Sequence, residues 1–300
     1  MIDKLEFFLA LAREKHFGKA AEACNVSQPT LSASIKQLED QLGVLLVQRG
    51  SRYQGLTPEG QRVLEWARRI VGDARAMRME INAARHGLHG SVRIAAIPTA
   101  LPMVRELTVA FHALHPGVNF VVLSRASVEI LELIDNLEID VGITYLANEP
   151  LGKVATVPLY EERYMFVTAS PELFSGRKSV TWKEASATPL CLLTPDMQNR
   201  RIINHYFEEV GVNVRPVLES DSMIALVSHV LAGAWSSILP AKVVDIFNAA
   251  GTLRALPLTE PEAIQTIGAV AEEREPRTPV IDALLKCAAL VAGRLAKVDS

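Results

Sequence analysis

Apolar residues recur at three- and four-residue steps from the start of the chain, at Leu5, Phe8, Leu9 and Ala12 and again at Leu31, Ile35, Leu38 and Leu42. The chain therefore opens in amphipathic helices. Residues 1–15 predict the first, and a second begins near Phe17, where Ala20, Ala21, Ala23 and Cys24 are small enough for another helix to cross closely. Asn25 then tolerates the left-handed backbone that a chain reversal needs. The next helix has a defined start: Ser27 is a good N-cap, and Pro29 falls in the first turn, where its missing N–H costs little.

The period changes further along. Over residues 58–85, Val63, Ala67, Ile70, Ala74, Met77, Ile81 and Ala84 alternate four- and three-residue steps. This is a heptad seam on a helix of about 40 Å, and it implies either a partner helix or a resting place on the chain's own core. Arg62, Glu65, Arg68, Arg69, Asp73, Arg75, Arg78 and Glu80 suit a solvated outer face. The sequence HGLHG at 86–90 reads as a hinge. Beyond it, strands alternate with helices: SVRIAAI, a helix over 101–115, VNFVVLS, a helix over 128–136 and IDVGITY. That βαβαβ order predicts a parallel sheet covered on both faces. A similar unit begins near Tyr164 and runs through PLCLLT and SSILP, after which IQTIGAVA and a closing helix over 279–295 return to the first. The expected organisation is a helical head at 1–58, a long helix and hinge at 59–90 and a two-lobed domain at 91–300. Lobe I takes 91–163 and 268–300, and lobe II takes 164–267.

The crossed helices carry candidate chemistry. With Leu31, Ile35 and Leu38 facing inward, Pro29, Ser32, Ala33 and Lys36 point outward, flanked by Thr30 and Gln37, with Ser27 and Gln28 at the helix start. Glutamine bonds base edges in pairs, serine and threonine bond phosphates or bases, and small side chains let a helix sit deep in a major groove. An alanine-rich helical pair is also a common structural element. Here its context is informative, with one helix before it and RGSRYQGLTP after it. In that hairpin Gly50 and Gly55 permit the turn, and Arg49 and Arg52 reach phosphates or a minor groove.

With these residues in place, the sequence resembles the LysR-type transcriptional regulators, whose amino-terminal signature is close to AAxxLxVSQPxLSxxIxxLExxLGxxLFxR with a wing ending in LTxAG. AAEACNVSQPTLSASIKQLEDQLGVLLVQR follows it through Ala20, Ala21, Ser27, Gln28, Pro29, Leu31, Ser32, Ile35, Leu38, Glu39, Leu42, Gly43 and Arg49, with LTPEG at 56–60. Ala33 stands where the family often has arginine, Cys24 where leucine is usual and Val47 where phenylalanine is usual. The resemblance implies a multidomain α+β chain: a winged helix-turn-helix, a long linker helix and a two-lobed α/β effector domain like the periplasmic binding proteins. It also implies a linker helix that pairs two chains, with Val63, Ala67, Ile70, Ala74, Met77 and Ile81 in the seam, and a homotetramer through the effector domains. The partners it implies are double-stranded promoter DNA carrying an inverted repeat, and RNA polymerase.

Ligands of open parallel sheets bind beyond the carboxyl ends of the strands, where helix N-termini gather. That rule selects Thr99 and Ala100, Ser124 and Ser127, Thr144, Thr194, Pro195 and Gln198, and Ser222. The family's pocket raises Thr99, Thr194 and Ser222 above the rest, although each is also an ordinary cap or turn residue. Hydroxyls and free helix amides favour a small anion. Arg125, Arg200 and Arg201 are candidate charge partners, and surface ion pairs explain them as readily.

Composition adjusts this picture at a few points. The net charge of −3 hides an asymmetry: residues 1–86 carry 13 lysines and arginines against 10 acids, and the remainder carries 18 against 24. A mildly basic head on an acidic body suits a DNA binder. Cys24, Cys191 and Cys287 lie far apart with no CxxC pair, and read as reduced packing residues rather than a redox sensor. HxxH at 86–89 lacks further ligands, so no metal is expected, and no cofactor other than a small-molecule effector. GxSxG, Walker, GxGxxG and HExxH motifs are all missing, which argues against an enzyme. A solute-binding protein is disfavoured by the head and by an N-terminus unlike a signal peptide. An architectural DNA binder would cap its strand ends with bulky apolar residues, and this chain does not. With no apolar run long enough to span a bilayer, the expected location is the bacterial cytoplasm at the nucleoid, away from the membrane.

Overall fold

Helix α1 (Ile2–Glu14) ends in a left-handed residue, Lys15, whose N–H returns to the Leu11 carbonyl, and α2 (Phe17–Ala23) starts two residues later. Asn25 is also left-handed, at φ 55°, and reverses the chain into α3 (Gln28–Leu42). The computed structural model describes residues 1–48 and 53–298. Leu5, Phe8 and Leu11 of α1, Ala20 and Ala21 of α2 and Leu31, Ile35 and Leu38 of α3 form one core with Leu46 and Val47. Two details depart from the apolar steps. Leu11 rather than Leu9 fills the centre, and Leu42, in the last turn of α3 beside the left-handed Gly43, remains exposed.

A hairpin stem follows α3. Val47 bridges Leu56 in antiparallel fashion, and the Gln48 N–H donates to the Gly55 carbonyl at 3.0 Å. The Glu39 carboxylate accepts the N–H groups of Leu46 (2.7 Å) and Val47 (3.2 Å), fixing the stem to α3. The tip, with Arg49 and Arg52, lies outside the described residues. Helix α4 (Pro58–His86) is capped by Thr57, whose hydroxyl accepts from the Gly60 N–H and donates to the Leu45 carbonyl. Residues 1–88 form one unit, which also includes 135–138 and 274–280. Ala67 and Val71 of α4 are buried in the α1–α3 core, and Arg68 donates to Asn136 at 2.7 Å.

The second unit contains a ten-stranded sheet. Strands β1 (Gly90–Ala96), β2 (Val118–Ser124) and β3 (Val141–Tyr145) are parallel, linked by α5 (Leu101–Leu114) and α6 (Ser127–Asp135). The expected βαβαβ order is realised there. Strand β4 (Val154–Thr168) is longer than the sequence pattern suggests and begins ten residues before Tyr164. Its first part pairs with β10 (Ile264–Glu272), and its last five residues pair with β8 (Ser236–Pro240), so one strand serves both lobes. Between them lie β5 (Val180–Thr181), α7 (Trp182–Ser186), β6 (Leu190–Leu193), α8 (Gln198–Glu209), β7 (Leu218–Ser220), α9 (Met223–Leu231), α10 (Ala241–Phe247) and β9 (Arg254–Thr259). Strands β6, β7 and β8 are parallel to one another, whereas β4 and β10 run antiparallel to their neighbours, so the sheet is mixed. Helix α11 (Pro279–Val298) closes the chain. No described helix is long and apolar enough to cross a membrane.

Candidate DNA-reading helix and interlobe site

The start of α3 is fixed by its own sequence. Ser27 Oγ accepts the Thr30 N–H at 3.3 Å and lies 2.8 Å from the Thr30 hydroxyl, so these two side chains are partly committed to capping. Ser27, Gln28, Pro29, Thr30, Ala33, Lys36 and Gln37 are exposed and Ser32 is half-buried, while Leu31, Ile35 and Leu38 are covered. The outward face is thus small and polar, with one cation, Lys36. On α4 the heptad seam divides. Ala67 and Ala74 are buried within this chain and Val63 is half-buried, whereas Ile70, Met77 and Ile81 are 40%, 56% and 53% exposed. Trp66 adds to the exposed stripe.

In the second unit the strand ends converge. Ile97, Pro98, Thr99, Ala126, Ser127 and Tyr145 from lobe I face Leu193, Met197, Gln198 and Asn199 from lobe II around a cavity of about 10 Å³, room for one water-sized group. Thr99, Ser127 and Gln198 are therefore brought together. The other candidates are placed differently. Ala100 is buried beside the cavity, and its N–H donates to the Ile97 carbonyl. Thr144 is buried on β3 with no partner for its hydroxyl among the described residues, and Ser124 and Pro195 are exposed. Thr194 donates its N–H to the Ser220 carbonyl, and Ser222 caps α9 through Ala225. The expected cations do not line the cavity. Arg200 bonds Leu193 O, Asn204 and Glu219, Arg201 bonds Glu149, and Arg125 is exposed.

Behind the cavity, Tyr145 and Asn199, both at strand ends, join residues inside β4 that the strand-end rule does not reach. Tyr160, Glu162 and Tyr164 lie on one face of β4, at alternate positions. Tyr145 donates its O–H to Glu162 Oε1 at 2.7 Å and lies 3.3 Å from the hydroxyls of Thr99 and Tyr164. Asn199 Nδ2 donates to Tyr145 and Tyr164 at 3.2 and 3.4 Å. Glu162 is 1% exposed. Burial raises its pKa to about 7, against the pull of hydrogen bonds from Tyr145, Tyr164 and Thr99. Burial likewise pushes Tyr145, Tyr160 and Tyr164 well above the usual phenol value. The signal was available in YEERY, where period-two alternation puts the acid and both tyrosines on one face.

This architecture matches known proteins along nearly its whole length. The family described as "Bacterial regulatory helix-turn-helix protein, lysR family" matches residues 2–61, and "LysR substrate binding domain" matches residues 85–291. The chain belongs to the LysR family. It is accordingly a DNA-binding transcriptional regulator with a small-molecule effector domain, and the family is one of regulators rather than enzymes. Among LysR-family relatives, the hydrogen peroxide-inducible genes activator of Escherichia coli O6:H1 is 28% identical over 276 residues, covering 92% of this chain and 90% of that protein. The regulator XapR of Escherichia coli K12 is 29% identical over 228 residues, 75% of this chain and 78% of that one. A full-length OxyR variant from Pseudomonas aeruginosa shares the fold with a TM-score of 0.76 at 27% identity, covering 97% of this chain and 99% of that one.

Proposed function

We propose that this LysR-family chain reads inverted-repeat promoter DNA through α3, as a homodimer paired along α4 and a homotetramer built through its effector domains. A small molecule held between the two lobes controls it. No further cofactor is required, and the working location is the cytoplasm at the nucleoid, in contact with RNA polymerase.

The observation that carries the DNA reading is α3 itself, a helix with a fixed start whose inner face is fully used and whose outer face offers Gln28, Thr30, Ser32, Ala33 and Lys36. The exposed apolar stripe of Trp66, Ile70, Met77 and Ile81 supports pairing along α4. Effector control rests on Thr99, Ser127, Gln198 and Asn199, which come from both lobes and enclose one cavity. A molecule that binds one lobe arrangement better than another shifts the population by that difference and no more.

Sensing by a cysteine thiolate, as the name of the peroxide-inducible relative invites, has no support in the thiols. Cys191 is fully buried, its thiol lies 3.2 Å from the Ser236 carbonyl, and burial raises its pKa to about 11. Cys287 is also buried, and desolvation raises Cys24 and Cys287 above the ordinary thiol value. The DNA reading is tested by selecting bound duplexes from a random pool. Gln28→Ala should flatten base preference at one position of each half-site, losing about 1–3 kcal/mol of discrimination there. An unchanged selected sequence would remove α3 from the reading role.

A further inference from the structure

Gln198 stands between two spaces. On one side is the interlobe cavity of about 10 Å³. On the other is a chamber of about 440 Å³, walled by Asn148 and Glu149 after β3, by Gln265 on β10 and by the face of α8 that carries Gln198, Arg201 and Tyr206. Residues 147–149 belong to lobe I and reach across to α8 of lobe II, and each of the three is tied down. The Ala147 carbonyl accepts from Gln198 Nε2 at 3.3 Å. Asn148 donates to Gln265, whose own Nε2 donates to the Tyr206 hydroxyl at 3.1 Å. Glu149 Oε1 accepts from Nε of Arg201 at 2.8 Å and lies 2.7 Å from its Nη2. The segment is anchored where it leaves β3, because the Leu146 N–H donates to the Thr266 carbonyl at 2.9 Å, and it bends through Asn148, which is left-handed at φ 76°. With these bonds made, the inner cavity has room for one water-sized group, whereas sites that enclose a whole small molecule run to several hundred Å³.

We propose that residues 147–149 form a strap that holds the interlobe cleft shut, with the Glu149–Arg201 ion pair as its catch, and that the effector enters by parting the strap from α8. Entry then joins the inner cavity and the outer chamber into one site. The proposal rests on the reading of the cleft as the effector site and names how access to that site is regulated. The strap is suited to this work because its catch is weak. The side chains of Arg201 and Glu149 are 36% and 31% exposed, and ion pairs open to water hold their partners only loosely. Shut and open forms therefore lie close in free energy, and a ligand that fits only the open form shifts the balance. Gln198, bonded to the strap and lining both spaces, is the partition that moves.

The test uses the full-length protein with Ser127→Cys as a reporter. The Ser127 hydroxyl is buried in the wall of the inner cavity with no partner among the described residues, so a thiol replaces it without breaking a bond. Alkylation of the introduced thiol by iodoacetamide is followed by peptide mass, with Cys191, fully buried and outside the cavity wall, as the control for general loosening. In this background Glu149→Gln and Arg201→Gln should each speed the reporter about threefold to fivefold and leave the Cys191 rate unchanged. Molar potassium chloride, which screens the catch, should speed the reporter with the strap intact and have little effect in the Glu149→Gln variant. Should either variant fail to fold, the salt response of the reporter relative to Cys191 still decides. Equal reporter rates with and without Glu149→Gln, equal acceleration of Cys191, or a reporter indifferent to salt would overturn the proposal. A protein that protects its promoter specifically while its reporter ignores the catch keeps the regulator reading and loses the strap. A protein whose reporter obeys the catch but which binds no specific DNA does the reverse.

Discussion

A carboxylate taken out of water needs a counter-charge or a full set of donors, and Glu162 has only part of the set, with Oε2 left without a partner among the described residues. Its pKa in the folded chain is raised from 4.5 to about 7, so the folded state holds this proton across a pH range in which the unfolded chain has released it. Stability from this group is therefore complete below pH 4.5 and falls as pH rises towards and through 7, by on the order of 3 kcal/mol at pH 8. Glu162→Gln should flatten the dependence of urea unfolding on pH between about 5 and 8 and stabilise the protein at the alkaline end. A variant with the same slope as the parent would place the titration elsewhere. At this scale the sequence was partly legible. Thr99, Ser127 and Gln198 follow from the strand-end rule, because helix starts must gather there whatever the ligand. Thr194 and Ser222 obey the same rule but do not line the cavity: Ser222 caps α9, and Thr194 keeps a buried hydroxyl with no partner among the described residues. Glu162 escaped because it lies inside a strand, and alternation alone does not say which face of YEERY is buried.

Elements constrain one another through close approaches. Gly60, in the first turn of α4, lies against the backbone of Leu46, and a Cβ there would overlap the Leu46 carbonyl. Neither backbone can yield without breaking the Thr57 cap, which also bonds Leu45. Gly60→Ala should cost about 2–3 kcal/mol in chemical unfolding, whereas Gly293→Ala, inside α11 where a Cβ meets nothing, should stabilise by about 0.5–1 kcal/mol. Similar effects at the two sites would mean that wing and helix are not packed as described. The α4 stripe makes the opposite prediction. Ile70→Glu should leave stability within about 0.5 kcal/mol, because Ile70 is 40% exposed, yet weaken self-association by roughly tenfold or more in sedimentation. An unchanged association constant would remove α4 as the pairing surface. The reversal before α3 and the start of that helix were readable, since Asn25, Ser27 and Pro29 act locally. The split of the heptad was not. Ala67 and Ala74 fit a partner helix and the chain's own core equally well, and only the position of α1–α3 decides between them.

At the scale of the whole molecule, a basic head and an acidic effector domain share one chain, and β4 and β10 join the two lobes of that domain. The alternation of strands and helices made the two-lobed architecture legible. Strand β9 and helix α10 were not. Pro257 inside β9 argues against a strand, and β9 owes its place to pairing with β4 and β5. Helix α10 has 7 residues, too few to display a period. A LysR-family chain with this α3 should occupy a specific inverted repeat as a paired molecule. Nuclease footprinting on the DNA flanking its own coding region, at fixed salt with unrelated duplex as competitor, tests that occupancy most directly. The expected result is protection over an inverted repeat, extending across several helical turns and surviving the competitor. Protection that disappears with competitor would contradict it and reduce α2 and α3 to a structural pair.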